Sequence, residues 1–212
     1  MNREIRMSRI AIVFIASMLV LSGCATLSED ECLTADWYQI GYEDGARGYP
    51  DTRIGSHREA CAKHGVAPRF RDYQDGHDEG VLSFCTQRNG FVQGQKGYQY
   101  TGICPPSIEG DFLDAYQAGR EIYSVRSAVS NLQNEQRSNE NKISSLKQGL
   151  IDAEALMFAA TTPEEERRNI YNSIGQMQED LGATEQRNKQ LIVEIAQAQA
   201  KLRILEEKYA YY

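Results

Sequence analysis

Ala159-Ala160-Thr161-Thr162-Pro163-Glu164-Glu165 separates two long stretches of the same periodicity. Before it, core positions step by four and three through Ile122, Val125, Val129, Leu132, Gln136, Asn139, Ile143, Leu146, Leu150, Ala153 and Met157. After it, the rule resumes at Ile170, Ile174, Met177, Leu181, Thr184, Asn188, Leu191, Ile195, Ala198, Leu202, Leu205 and Tyr209. Sustained 4-3 spacing of apolar residues flanked by Glu, Gln, Lys and Arg is a coiled-coil signal. Proline cannot continue a helix but suits its first turn, so Thr162-Pro163-Glu164-Glu165 predicts an N-cap, an N1 proline and a capping-box glutamate. Folding the chain back near 159–162 predicts an intramolecular, antiparallel coiled-coil helical hairpin over residues 107–212, with Ser107 as N-cap after Pro105-Pro106. That fold sets Ile143 near Met177, Leu146 near Ile174 and Leu150 near Ile170. It brings Gln136 to Thr184, with Asn139 and Asn188 one layer away, so that the polar interruptions of the two seams meet, with one layer of slip left open.

Upstream, the composition changes. Thirteen of the nineteen aromatic residues lie between Trp37 and Tyr123, and the chain there is rich in Gly and Tyr. An aromatic-x-x-Gly pattern recurs as Tyr38-Gln-Ile-Gly41, Tyr73-Gln-Asp-Gly76, Phe91-Val-Gln-Gly94 and Tyr116-Gln-Ala-Gly119. Gly41, Gly45 and Gly48, like Gly90, Gly94 and Gly97, fall on one face of a helix. A glycine in a helix costs about 1 kcal/mol against alanine, so the stripe predicts close approach of a neighbouring helix or ring. Arg58 to Lys63 predicts a short helix closed by Gly65, and Tyr98 to Cys104 an extended run. The fold class is mainly α: a small disulfide-stapled helical head over 24–106, then the hairpin over 107–212.

Cysteine usage fits an oxidising compartment. Apart from Cys24, four remain, Cys32, Cys61, Cys85 and Cys104, all in the head. Of the three possible connectivities, Cys32–Cys61 with Cys85–Cys104 is preferred, because each bridge closes a short loop. No pair has C-x-x-C spacing, so a metal site is not expected, nor any cofactor.

The stretches Asp36-Trp37, Ile40-Gly-Tyr-Glu-Asp-Gly-Ala-Arg-Gly48, His57-Arg-Glu-Ala-Cys-Ala-Lys-His-Gly65, Tyr73 with Gly76 and Gly80, and Asn89-Gly90 through Gly102-Ile-Cys-Pro105 resemble a bacterial lipoprotein family catalogued as domain of unknown function 2799. The resemblance covers roughly residues 24–123. It implies an envelope location and carries no activity with it.

The beginning of the chain points the same way. Arg3, Arg6 and Arg9 precede an apolar run from Ile10 to Leu21, shorter than the ~20 residues of a membrane-spanning helix. Leu21-Ser22-Gly23-Cys24 then resembles a bacterial lipobox. The expectation is a signal peptide over 1–23, with Cys24 acylated as the membrane anchor. Ala25, not aspartate, follows Cys24, which by the same resemblance implies the outer membrane, where the expectation is a lipid-anchored, periplasm-facing protein.

Charge narrows the partners. The chain carries 23 basic and 30 acidic residues, a net of −7. Residues 24–123 hold 9 basic and 16 acidic groups, which argues against nucleic acid and against a basic surface for anionic lipid. Attachment to the membrane then falls to the acyl chains at Cys24.

For chemistry the sequence offers little. His57, His64 and His77 read as exposed helix residues, and no nucleophile elbow, phosphate loop or His-Glu-x-x-His occurs. An enzyme is not expected. Trp37, Tyr38 and Tyr42 beside Asp36, Glu43 and Asp44 form the one aromatic-acidic cluster suited to stacking on a glycan such as peptidoglycan, against the plainer reading of Trp37 as a core anchor. The leading expectation is a structural or interaction protein of the envelope, its hairpin serving as a spacer or as an arm for an envelope protein partner through residues 124–209.

Overall fold

The computed structural model describes residues 26–212. Cys24 and the expected signal peptide, residues 1–23, lie outside the described residues. Those described are about 80% helical and contain no strand, seven α-helices and two disulfides. In chain order the helices are α1 (Glu29–Leu33), α2 (Trp37–Ala46), α3 (Ile54–Ala62), α4 (Phe70–Phe84), α5 (Gln87–Lys96), α6 (Pro106–Phe158) and α7 (Glu164–Lys208), with a 3-10 turn at Asp51–Arg53 before α3. Among the described residues no helix is long and apolar enough to cross a membrane.

Caps explain the starts of the first two. Ser28 and Glu31 form a reciprocal capping box at α1. Asp36 accepts hydrogen bonds from the backbone N–H of Tyr38 and Gln39 at α2. Two later starts differ from the sequence expectation. Helix α6 begins at Pro106, with Ile108 and Glu109 donating to the Pro105 carbonyl, so Ser107 is already helical. At α7 the residue preceding the helix is Pro163, and no side chain caps it. The Thr162 hydroxyl instead donates to the carbonyl of Leu156, and Arg167 closes the loop onto the carbonyls of Thr162 and Ala159.

The chain divides into two compact units. One joins the described residues up to Asn89 with Tyr100–Phe112; the other joins Gly90–Gln99 with Leu113–Tyr212. Most of α5 thus groups with α6 from Leu113 onward, whereas the first two turns of α6 group with the head.

In the first unit, Cys32, Trp37, Cys61 and Tyr73 form the core, with Leu27, Ala35, Ile40, Ile54 and Val66 against it. The disulfides join Cys32 to Cys61 and Cys85 to Cys104, across 29 and 19 residues of sequence. The glycines set how α2 meets α4. A Cβ on Gly41 would stand 2.8 Å from the carbonyl carbon of Tyr73, and one on Gly76 2.8 Å from that of Tyr38. Gly45 meets the backbone at Val81 and Gly80 that at Ala46 in the same way. The two helices lie backbone on backbone, which only a missing side chain permits.

In the second unit the device recurs. A Cβ on Gly94 would stand 2.9 Å from the backbone N of Arg120, and one on Gly119 2.7 Å from that of Gln95. The terminating glycines also match. Gly48 and Gly97 both have positive φ, and lie against the Phe84 and Tyr123 rings respectively. The four aromatic-x-x-Gly segments thus pair first with second and third with fourth. The Tyr98–Cys104 segment contains no strand.

Ala118, Ile122 and Tyr209 form the core of the second unit, joined by Phe91, Leu202, Leu205 and Tyr212. Ion pairs link α6 and α7 along their length: Arg126–Glu206 at 3.1 Å, Glu135–Arg187 at 2.7 Å and Lys147–Glu185 at 2.9 Å. The register differs from the expected one. Ile143 lines a hollow with Asn188 and Ile192, not Met177, and Met157 shares another with Ile174. A Cβ on Gly149 would stand 3.1 Å from the Met177 sulfur, so α7 is displaced by about two helical layers relative to a fold-back at 159–162. Thr184 donates its hydroxyl to the Asp180 carbonyl of its own helix, 2.7 Å away, while Asn139 Nδ2 and Asn188 Oδ1 are buried without a hydrogen-bond partner.

Candidate functional site

Asp44 lies three residues beyond Gly41 and beside Gly45, so it sits on the face of α2 that is pressed onto α4. It is 4% exposed. Burying a carboxylate is tolerable only when its charge and lone pairs are met, and three side chains meet them here. His57 on α3, itself 2% exposed, places Nε2 2.7 Å from Asp44 Oδ2. Tyr73 on α4 donates its hydroxyl to the same oxygen at 2.8 Å. Arg53, from the 3-10 turn, sets Nε 3.0 Å from Oδ1. That last approach is off the line of a hydrogen bond, so it acts through charge, and the guanidinium carbon lies 3.8 Å over the Tyr49 ring.

The electrostatics follow from this packing. Burial by itself raises the Asp44 pKa; the hydrogen bonds from His57 and Tyr73 and the charges of His57 and Arg53 outweigh it and hold the carboxyl below its ordinary range. Burial, and next the hydrogen bond to Asp44, push the Tyr73 phenol well above its usual value. With Asp44 ionised, its oxygen accepts and His57 Nε2 carries a proton. The other ring nitrogen, Nδ1, lies 2.9 Å from the hydroxyl of Thr26. A hollow of about 370 Å³ opens over this group, with Asp44, Arg53 and His57 on one wall and Asp36, Gln39 and Glu43 among its other lining residues.

Carboxylate, imidazole and hydroxyl in a row form the arrangement that activates nucleophiles in hydrolases. Here the ring is turned the other way, with Nε2 toward the acid, and the hydroxyl belongs to the start of the described chain. Among the described residues no three His, Cys, Asp or Glu converge to hold a metal.

The histidines correct the sequence reading. His57 is buried rather than exposed, and so is His77, which is 5% exposed. His77 stacks on Tyr73 with ring centroids 5.9 Å apart and sets Nε2 2.8 Å from the Tyr49 carbonyl. His64 is half-buried, 3.6 Å from Glu29. The available signal was the position of Asp44 on the glycine face of α2. The aromatic cluster is divided as well. Trp37 is 3% exposed within the core and presents no ring face for stacking, whereas Tyr38 is 40% exposed and hydrogen-bonds Glu79. Tyr42 is half-buried.

Residues 36–121 match the family model described as a protein of unknown function, DUF2799. That segment is similar to the DUF2799 domain over 86 of the chain's 212 residues. It opens on Asp36, the N-cap of α2, and closes at Glu121 inside α6, so the matched segment takes in both glycine-lined helix crossings and the Asp44–His57–Tyr73 group. The greater part of α6 and all of α7 lie beyond it. No curated protein and no solved structure matches the chain.

Proposed function

We propose that the protein is a cell-envelope lipoprotein, anchored through Cys24 to the periplasmic side of the outer membrane, whose α6 and α7 form a coiled-coil arm for an envelope partner. The observation that carries this reading is the pairing of two helices of 53 and 45 residues through ion pairs spread along them, with Ile122, Val129, Ile174, Leu191 and Ile195 buried between polar flanks. At 1.5 Å per residue the shorter helix alone is about 70 Å long. Such a length exceeds what stabilising a small domain requires, and suits a spacer or a docking surface.

The test must leave the base of the arm in place, since Phe91 stacks on Tyr212 with centroids 5.0 Å apart. Replacing residues 133–197 with a short Gly-Ser turn keeps Ile122, Leu202, Leu205 and Tyr209. Mild cross-linking in intact envelopes should then lose the partner captured by the full chain. Retention of that partner by the shortened, folded chain would remove the arm as the interaction surface.

A further inference from the structure

The two helix crossings of the matched segment supply a control within one chain. In matching positions, set by Gly45 against the His77 backbone and Gly94 against the Tyr116 backbone, Asp44 corresponds to Gln93 and Tyr73 to Phe112. Phe112 is fully buried, as Tyr73 nearly is, yet it offers no hydroxyl. The second crossing therefore forms without a buried carboxylate and the phenol that serves it. At the first crossing the carboxylate instead ties α2 to α3 and the 3-10 turn as well, through His57 and Arg53.

His57 also reaches the start of the described chain on its other side. Its Nδ1 reaches Thr26 at 2.9 Å, and the adjoining Leu27 packs against the core cluster of Cys32, Trp37, Cys61 and Tyr73. The chain is thus seated on the head from Thr26 onward, by one polar and one apolar contact. Cys24 is two residues earlier, and two residues span at most about 7 Å.

We propose that the Asp44–His57–Thr26 series of hydrogen bonds is a clasp that removes the tether between lipid and head, so that the face carrying Thr26 and Leu27 rests on a phospholipid bilayer surface. This rests on the reading of Cys24 as acylated. Around the clasp, Glu31, Asp36, Glu43 and Asp44 outnumber Arg47 and Arg53, and both arginines are paired with acids, so no free basic charge there favours anionic headgroups over neutral ones.

The single tryptophan of the chain reports on this directly, because Trp37 belongs to the cluster that Leu27 covers. The full acylated protein would be placed in phosphatidylcholine vesicles containing a headgroup nitroxide lipid, which quenches tryptophan through space over a few side-chain widths. The expected result is strong quenching of Trp37, at least halved in Thr26→Val and in His57→Gln, and lost when a Gly-Ser spacer of about 15 residues is inserted between Ala25 and Thr26. Thr26→Val leaves Asp44 and its partners intact, so it keeps the test valid if His57→Gln loses its helical signal. Absent quenching in protein whose mass shows acylated Cys24, or quenching unchanged by the spacer, overturns the clasp alone. An unmodified Cys24 in membrane-extracted protein overturns the anchor reading and the clasp together.

Discussion

Gly41 lies so close to Tyr73 that a Cβ would stand 2.8 Å from the Tyr73 carbonyl carbon and nearer still to its oxygen. The obstacle is backbone, not the end of a flexible side chain, so the crossing of α2 over α4 has no cheap way to yield. Gly41→Ala should therefore destabilise by about 3 kcal/mol or more, the range of overpacked cores and displaced elements. Gly182 on α7 has nothing within 4 Å of its missing Cβ. There, Gly182→Ala should stabilise by up to about 1 kcal/mol through helix propensity alone. Thermal melts of the two variants should shift in opposite directions; a tolerated alanine at 41 would mean that the helices do not cross backbone on backbone.

Much of that crossing was legible in the chain. The aromatic-x-x-Gly spacing placed Gly41, Gly45, Gly76 and Gly80 on helix faces and required a close neighbour. Which face met which was not legible, because four similar segments can pair in several ways and only tertiary packing selects. The buried carboxylate was hidden for another reason: Asp44 looks like any acid of a solvated helix until the glycine face is known to be the contact face. The register of α6 against α7 failed for a third reason. A 4-3 seam repeats itself, so sliding by whole layers exchanges similar apolar contacts, and the turn length alone did not fix the choice.

Asp44 gives the first unit a defined acid sensitivity. Its pKa is lowered in the folded state, so its contribution is complete above the unfolded carboxyl pKa, about 4. That contribution is lost as pH falls through the lower folded value. Asp44→Asn should cost about 3 kcal/mol at neutral pH, since Arg53 and His57 lose the charge that compensates them. Below pH ~4 its melting temperature should fall less steeply than that of the wild type. Parallel melting curves against pH for the two proteins would show that Asp44 does not titrate with folding.

The bridges should not be equivalent in consequence. Cys32 and Cys61 are 1% and 0% exposed and sit with Trp37 and Tyr73, whereas Cys85 and Cys104 close the shorter loop of 19 residues. Removing either pair as alanines should cost about 3 kcal/mol through the unfolded chain. Cys32→Ala with Cys61→Ala adds a packing loss at the core and should melt lower. Guanidinium denaturation followed through Trp37 fluorescence measures both; equal midpoints would mean that the core packing around Cys32 and Cys61 contributes nothing.

Asn139 Nδ2 and Asn188 Oδ1 are each buried without a hydrogen-bond partner, although a donor and an acceptor would satisfy each other if they met. Ile143 shares a hollow with Asn188, and Thr184 satisfies its hydroxyl within its own helix. An unsatisfied buried amide costs about 1–3 kcal/mol, and a leucine of similar volume removes that cost while adding apolar contact. Asn139→Leu and Asn188→Leu should therefore each raise the melting temperature on its own. The combined change should raise it further, because it removes both unsatisfied groups. Sedimentation of each variant guards against a gain produced by self-association. If either single change destabilises, that amide is hydrogen-bonded in the folded protein and is not the unsatisfied group described here.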